Sequence, residues 1–348
     1  MARNILAGAI AESTRKGYRS AIRSLATFCE ANHLTLTFPV SADTICLWMA
    51  GNSSTLTFQS MRVYLHGIAN AHVEAGYRNP LTDNGQVWRM LAGVKRLQGQ
   101  RVTRKRLPIT TELLSELETF QDMSTHDGRL IRAAMWLGTC GLLRSGEFAK
   151  KDKDSVVLRR SHLTFHTEAG AECPRDSPHV DYMKLFLPKS KTDPFRAGAQ
   201  VVISNKNAIS AMLTYLATKF EPITDQPLLR TSCGTPLTVS ELVRGTRHVL
   251  KQAGAIDAEL YLGHSFRRGG ATSLHLAGQP DSVIKAMGRW RSFAFARYVD
   301  TPTRLLVAAG RAMSASSSQG RSVTFALRQS TSWTNPIWDF PGSSDSLP

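Results

Sequence analysis

The most informative stretch of the sequence is Gly263-His264-Ser265-Phe266-Arg267-Arg268-Gly269-Gly270. It places a histidine and an arginine one turn apart at the start of a predicted helix, the helix end that favours anions. The glycines at 269 and 270 indicate that another backbone or a ligand approaches this helix closely. A His-x-x-Arg pair alone is more typical of a structural histidine, so its meaning depends on the rest of the chain.

The composition is that of a basic globular protein. The chain has 348 residues, of which 42% are hydrophobic and 20% are charged. Its 43 lysines and arginines exceed its 27 acids, which gives a net charge of +16. At about 150 residues per domain, this length predicts about two domains. Such a charge attracts phosphate backbones but also serves solubility, so both interpretations stay open.

Three features bear on where the protein works. No stretch approaches the ~18 consecutive apolar residues of a membrane span, which excludes an integral membrane protein. The five cysteines lie far apart without a Cys-x-x-Cys pair, which favours a reducing compartment. The apolar run near the N-terminus is too short for a signal peptide. We expect an intracellular protein, nuclear in a eukaryotic host and cytoplasmic in a prokaryotic or phage context.

The first hundred residues show helical periodicity without strand-like alternation. Apolar residues recur at three- and four-residue spacing over residues 13–30, which predicts a helix capped by Ser13 or Thr14. Further helices are predicted from Ser41, from about Ser54 and over residues 84–98. This region is therefore predicted to form a small helical bundle.

A basic run without acids extends from Asn84 to Leu107. Its cations are Arg89, Lys95, Arg96, Arg101, Arg104, Lys105 and Arg106. One interpretation is a solvated interdomain linker or a nuclear import signal. The other is a strap along a nucleic-acid backbone, which the total charge favours.

The second half mixes helices with short strands, so the whole chain is predicted to be mainly α with a small antiparallel sheet. Strand character is found at residues 156–158, 163–165, 183–187 and 201–203. The last two form a predicted hairpin whose loop presents Lys189 and Lys191. Helices are predicted at 113–120 after a Thr110 or Thr111 cap, and at 130–140, 207–220, 239–253, 265–277 and 281–287.

Two further motifs contain residues suited to phosphate chemistry. Arg144 and Glu147 form either an ordinary ion pair or a guanidinium held rigid to grip a phosphate. Trp290 and Tyr298 lie in an aromatic segment, where a tyrosine packed in a core is the ordinary interpretation.

The sequence also contains a candidate metal site, which we do not favour. Its side chains are those of His162, His166, Cys173 and His179. Their spacing matches no common zinc module, so we expect no bound metal. No GxxxxGK[ST] phosphate loop is present either.

In this order, the residues resemble the active-site series of the tyrosine recombinases (phage-integrase family). The series is Arg144 with Glu147, Lys191, His264, Arg267, Trp290 and Tyr298. The resemblance spans about residues 13–312. Residues 190–194 and 288–290 are most similar to the recombinases of eukaryotic DIRS-type retrotransposons and Cryptons.

The resemblance implies an N-terminal helical core-binding (SAM-like) bundle and an α+β tyrosine recombinase catalytic domain. The implied organisation is an N-terminal arm (1–12), a DNA-clamping core-binding domain (13–100), a basic linker (101–109), a catalytic domain (110–313) and a Ser-rich tail (314–348). The tail contains ten serines and is predicted to be largely disordered.

The resemblance also implies a site-specific recombinase or integrase that cleaves and rejoins DNA through a 3′-phosphotyrosyl intermediate, without metal, ATP or another cofactor. Arg144, Arg267 and the indole N–H of Trp290 would contact the non-bridging phosphate oxygens. Tyr298 would be the nucleophile and His264 its base.

Two more residues have implied roles. Lys191 would be the acid for the leaving 5′ oxygen and is preferred over Lys189 because it occupies the matching family position. Glu147 would orient Arg144 or His264. Trp290 and Tyr298 are eight residues apart, whereas in the commonest family pattern the nucleophile follows the His or Trp by nine.

The implied partners are double-stranded DNA and further copies of the chain, as a homotetramer on two synapsed duplexes. The likeness to mobile-element recombinases implies service to such an element. Two other functions stay open: a recombinase-derived DNA-binding protein without catalysis, and a type IB topoisomerase-like or telomere-resolving enzyme.

Overall fold

The computed structural model describes residues 8–82, 84–99, 106–189, 197–217, 226–301, 303, 306–308 and 310–311. The chain divides into two compact units after residue 104. No helix within the described ranges is long and apolar enough to cross a membrane. Lys191, the Ser-rich tail and most of the expected linker lie outside these ranges.

The first unit is helical. Its helices are α1 (Glu12–Ala31), α2 (Ala42–Gly51), α3 (Phe58–Glu74) and α4 (Gly85–Gln98). The predicted starts of α2 and α4 are confirmed, and both helices have side-chain caps: Ser41 Oγ accepts from the Thr44 amide, and Asn84 Oδ1 accepts from the Val87 amide.

Two helix starts differ from the prediction. Ser13 and Thr14 lie inside α1, whose N-cap is Ala11 without a side-chain hydrogen bond, so the predicted cap is wrong. The acidic Glu12 in the first turn supports this end of the helix instead. Helix α3 begins at Phe58 rather than near residue 54, because Thr57 caps the Ser60 amide.

The core of the first unit is formed where α1 packs along α3 and α2 against α4. Leu25, Trp48 and Leu65 are fully buried there. His72 is also fully buried, and both of its ring nitrogens are paired. Its Nε2 accepts from the Val40 amide at 2.8 Å, and its Nδ1 lies 2.7 Å from the Ile68 carbonyl oxygen. The buried imidazole is therefore a structural link between α3 and the segment before α2.

The second unit surrounds a central apolar helix. Its helices are α5 (Thr111–Glu116), α6 (His126–Cys140), α7 (Ser145–Phe148), α8 (Lys206–Leu216), α9 (Val239–Gln252), α10 (Gly263–Leu276) and α11 (Asp281–Met287). Residues 133–139 of helix α6 are buried on every side, as expected for a helix segment inside a core, and Trp136 and Leu137 are fully buried. Helices α8 and α10 both pack against it.

A small antiparallel sheet covers one side of this core. It has the order β2-β1-β3-β4, with β1 (Leu163–His166), β2 (Glu172–Cys173), β3 (Tyr182–Leu187) and β4 (Ala199–Ile203). In register, Leu185 of β3 lies opposite Leu163 and Val201. The predicted β3–β4 pairing is confirmed, and the fold is mainly α with a small antiparallel sheet.

Two local predictions about strands are corrected by the structure. Residues 156–158 form no strand. One backbone hydrogen bond, from the Leu228 amide to the Leu158 carbonyl, connects them to residue 228, and this is not a strand ladder. The short strand β2 was not predicted, because two residues carry no alternation that a sequence pattern can show.

The glycine pair in α10 is explained by close backbone packing. A Cβ at Gly269 would overlap the carbonyl of Ile109, and one at Gly270 would overlap the carbonyl of Thr139. The Ile109 amide also donates to the Ser265 carbonyl at 3.0 Å. The predicted close approach is confirmed, and the approaching group is backbone.

Candidate active site

The described residues of the predicted series come from four places in the second unit. Arg144 is the N-cap of α7, and Arg267 lies within α10. Trp290 follows α11, and Tyr298 ends the 3₁₀ turn Phe293–Arg297. His264 is exposed in the first turn of α10, because this helix starts at Gly263 rather than at residue 265. Lys191 lies outside the described residues, whereas Lys189 is exposed just after β3.

Glu147 organises the charged part of this site. Its carboxylate is only 5% exposed, and its Oε1 accepts from Arg144 Nη1 at 2.7 Å. Its Oε2 accepts from the Arg144 backbone amide at 2.9 Å and from Arg289 Nη2 at 3.0 Å. One buried carboxylate therefore holds two guanidinium groups, which is a stronger arrangement than an exposed helical ion pair.

Arg267 is fully buried although it is charged. Its Nη1 donates to the Leu142 carbonyl at 2.6 Å, and its Nη2 donates to the Gly288 carbonyl. Burial, with repulsion from Arg144 and Arg289, lowers the pKa of Arg267 to about 9. The guanidinium is therefore protonated at neutral pH and fixed between two carbonyl groups.

The aromatic residues lie against this guanidinium. The Trp290 ring centroid is 4.1 Å from Arg267 Cζ, and the Tyr298 ring centroid is 5.7 Å from it. The two rings are tilted by 48° with centroids 5.3 Å apart. Tyr298 is only half-buried, so it is not the fully enclosed core tyrosine of the ordinary interpretation.

The charges of the cluster do not balance. Arg144, Arg267 and Arg289 supply three positive charges, and within the described part of the chain the acid Glu147 pairs with Arg144 and Arg289. An uncompensated charge in such a partly buried place costs several kcal/mol unless an anion offsets it. The geometry is therefore suited to an anion beside Tyr298.

A separate set of contacts fixes the backbone around Tyr298. Thr272 Oγ1 donates to the Tyr298 carbonyl at 3.3 Å and accepts from the Asp300 amide at 3.1 Å. Arg268 Nη2 donates to the Arg297 carbonyl at 2.6 Å, and its Nη1 lies 3.5 Å from Asp300 Oδ2. Helix α10 thus holds the turn that carries Tyr298.

Arg289 and Arg268 were not among the predicted site residues. They are sequence neighbours of the predicted Trp290 and Arg267, but their contacts are formed with distant parts of the chain. Arg289 meets Glu147 across 142 positions, and Arg268 meets Arg297 across 29. No local pattern reports such contacts.

The predicted DNA-backbone residues are only partly described. Arg89, Lys95 and Arg96 are exposed on α4 in the first unit, and Arg106 is exposed in the second. The remaining three, Arg101, Arg104 and Lys105, lie outside the described residues.

The candidate zinc ligands have other partners. The His166 ring stacks on Tyr182 with centroids 5.1 Å apart, and its Nε2 lies 2.9 Å from Thr164 Oγ1. His162 Nδ1 accepts from the Arg159 amide at 3.1 Å. Over the ranges that the structure describes, no three His, Cys, Asp or Glu side chains are grouped to hold a metal ion.

Comparison with known proteins relates the chain to recombinases. The integrase/recombinase xerD homolog of Selenomonas ruminantium is 26% identical over 278 residues, covering 76% of this chain and 74% of that protein. No family model matches the chain.

Solved structures show the same fold. The XerH site-specific recombinase bound to palindromic difH substrate has a TM-score of 0.60 at 13% identity, covering 86% of this chain and 79% of that one. The Tn1549 transposon integrase in complex with circular intermediate DNA has a TM-score of 0.52 at 12% identity, covering 87% and 94%. The chain therefore has the fold of the tyrosine recombinases, and its sequence is similar to that of an integrase/recombinase.

Proposed function

We propose that this protein is a site-specific DNA recombinase or integrase that breaks and rejoins strands through Tyr298. The observation that carries the proposal is the buried arginine cluster with excess positive charge beside the Tyr298 ring. A phosphodiester attacked in line by an oxygen spreads negative charge over its non-bridging oxygens in the transition state. Fixed donors at that place are usually the largest catalytic contribution.

In this proposal the reaction is a transesterification at phosphorus. The phenolic oxygen of Tyr298 forms a bond to phosphorus while the bond from phosphorus to the 5′ oxygen breaks. Arg144 and Arg267 hold the non-bridging oxygens, and the Trp290 ring lies against Arg267. The 3′-phosphotyrosyl bond retains the energy of the broken one, so rejoining needs neither ATP nor metal.

Two proton transfers complete this proposal. The phenol of Tyr298 must lose its proton near the moment of attack, because the phenolate is the stronger nucleophile. His264, exposed in the first turn of α10, is the proposed acceptor. Lys191 is the proposed donor to the leaving 5′ oxygen, with Lys189 as its rival.

The comparisons support DNA as the partner. XerH was solved on its difH substrate and the Tn1549 transposon integrase on circular intermediate DNA. We extend this to double-stranded DNA for the present chain, to a tetramer on synapsed duplexes and to service for a mobile element of the DIRS or Crypton type. Such a protein would act in the compartment that contains the host DNA, which is the nucleus in a eukaryotic host and the cytoplasm in a prokaryotic or phage context.

The exposed cations of α4 support the same partner. Arg89, Lys95 and Arg96 lie on one short helix with no acid in its sequence. Cations of this kind bind phosphate backbones by releasing counterions, without reading sequence. We assign them to the clamping of the duplex rather than to the chemistry.

The test uses a duplex from the DNA that flanks the gene, nicked beside the cleavage site so that the adduct cannot religate. We expect a covalent protein–DNA adduct that is absent for Tyr298→Phe and present for the control Tyr182→Phe, whose ring packs on His166. An adduct that survives Tyr298→Phe contradicts the proposal. Relaxation of supercoiled DNA without exchange between two sites would instead favour the topoisomerase-like function.

A further inference from the structure

We propose that Arg289 is a third phosphate-binding arginine of this site, and that Trp290 is a positioning residue for Arg267. This inference rests on the proposed function. It changes the assignment within the triplet Gly288-Arg289-Trp290, in which Trp290 was predicted to contact the phosphate.

The backbone of the triplet sends the two side chains to different partners. Arg289 has a φ of +56°, in the left-handed region that favours glycine. The Trp290 ring lies over Gly288, where an added Cβ would overlap it. The strained turn directs the Arg289 guanidinium to Glu147, while the indole lies against Arg267.

The hydrogen bonds of Arg289 leave donor capacity for a ligand. Its one close acceptor is Glu147 Oε2 at 3.0 Å, within the described part of the chain. Its contacts to the carbonyls of Gly141, Met287 and Leu142 are long, at 3.3, 3.3 and 3.4 Å. A guanidinium has five donors in a planar fork that matches a phosphate. Arg289 Nε has no acceptor among the described residues.

The position of Arg289 places this capacity within the charged cluster. Arg289 and Arg144 bind the two oxygens of the same carboxylate, so their guanidinium groups are neighbours. Arg289 and Arg267 both reach the Leu142 carbonyl. Three cations gathered in this way repel one another, and an anion in contact with all three relieves that repulsion. The Arg289 side chain is 15% exposed, so an incoming phosphate oxygen can reach it.

Spacing along the chain agrees with this geometry. Arg289 precedes Tyr298 by nine residues and Trp290 precedes it by eight. The indole ring of Trp290 stacks over Arg267 at 4.1 Å, a cation–π contact that fixes the guanidinium without needing the indole N–H.

The first test measures strand cleavage on the nicked duplex that gives the wild-type adduct. We expect Arg289→Ala to slow cleavage about a hundredfold and Arg289→Lys less, because lysine keeps the charge but not the planar fork. Arg291→Ala, which removes an exposed arginine two residues away, is the matched control and should cleave like wild type.

A neutral methylphosphonate at the scissile position separates a catalytic role from a structural one. If Arg289 neutralises phosphate charge, Arg289→Ala should lose far less activity, relative to wild type, on this substrate. An equal loss on both substrates, or a loss below about threefold on the phosphodiester, overturns the inference. A wild-type protein that forms no adduct contradicts the proposed function instead.

The tryptophan has its own test. Trp290→Phe keeps an aromatic face for Arg267 and should cleave within about tenfold of wild type, whereas Trp290→Ala should not. If Phe is as damaging as Ala, the indole N–H is needed at the phosphate and the assignment of Trp290 as a positioning residue is wrong.

A second measurement needs no DNA site. Sulfate at constant ionic strength should raise the melting temperature of the wild type and of Arg291→Ala, because it binds the folded cluster. The sulfate concentration for half of this effect should be about fivefold higher for Arg289→Ala. An unchanged concentration dependence shows that Arg289 does not bind the anion and overturns the inference.

Discussion

His72 in the first unit and Arg267 in the second are both fully buried polar side chains, but their surroundings differ. His72 has a partner for each ring nitrogen and no charged neighbour among its hydrogen-bond partners. Arg267 is held by two carbonyls, lacks an acceptor for Nε in the described part of the chain, and is repelled by Arg144 and Arg289. A satisfied buried group stabilises the fold, whereas this incompletely satisfied cation indicates a place for a ligand.

The largest effect expected from this contrast concerns the chemistry. We predict that Arg267→Met slows strand cleavage about a thousandfold, since it removes a fixed cation from the phosphate. Its free energy of unfolding should change by about 1 kcal/mol or less, because the loss of two hydrogen bonds is offset by removal of a buried charge. Cleavage assays and urea denaturation measure the two. A destabilisation larger than that of His72→Leu would break the comparison.

The corresponding substitution in the first unit should affect the free energy of unfolding more than the rate of cleavage. We predict that His72→Leu lowers the free energy of unfolding by about 2–3 kcal/mol, because the Val40 amide and Ile68 carbonyl lose a buried partner. Urea denaturation measures this loss. Single-turnover cleavage at saturating protein and low temperature should stay within a few-fold of wild type, and a thousandfold loss there would show that His72 is more than structural.

A smaller effect is expected from the contacts that hold Tyr298, the proposed nucleophile. We predict that Arg268→Ala slows cleavage about tenfold, because the turn before Tyr298 loses its guanidinium contacts to Arg297 and Asp300. The affinity for the duplex should be nearly unchanged. Arg268→Lys, which retains the charge, should recover part of the rate. A loss of binding equal to the loss of rate would point to a DNA contact instead.

The smallest effect concerns the surface of the first unit. We predict that Arg96→Ala weakens duplex binding a few-fold and reduces the slope of log K against log salt by about 0.9. Arg19→Ala is the control, because Arg19 is already paired with Glu12 at 2.5 Å. Titrations at several salt concentrations measure both variants. Arg267→Met should leave most of this slope in place.

The elements of the fold were predictable from sequence wherever local chemistry determines them. Ser41 and Asn84 cap helices through contacts three residues away, and Met183, Leu185 and Leu187 show the alternation of β3. The start of α1 was not predictable in this way, since Ala11 caps it without a side-chain bond.

The site was less predictable than the fold. Arg144, Arg267 and Tyr298 were predicted from the sequence. That Arg144 and Arg289 share Glu147 was not, because Arg289 and Glu147 are 142 positions apart. Residues 156–158 show the same limit of sequence-based prediction. The β-branched side chains of Val156 and Val157 favour a strand, but whether a neighbouring strand is available to pair with them depends on distant parts of the chain. Chemistry that depends on the meeting of distant segments is visible only in three dimensions.

Gly269 and Gly270 determine how closely helix α10 approaches the neighbouring backbone, and thereby the position of the site residues on this helix. Helix α10 rests directly on the carbonyls of Ile109 and Thr139, and these atoms cannot be compressed. The depth at which Arg267 enters the cluster is thereby set by backbone rather than by adjustable side chains. A displacement of about 1 Å in a catalytic group can slow a reaction a hundredfold. The contact between α10 and these carbonyls leaves no room for a methyl group, and it therefore limits how far Arg267 can be displaced.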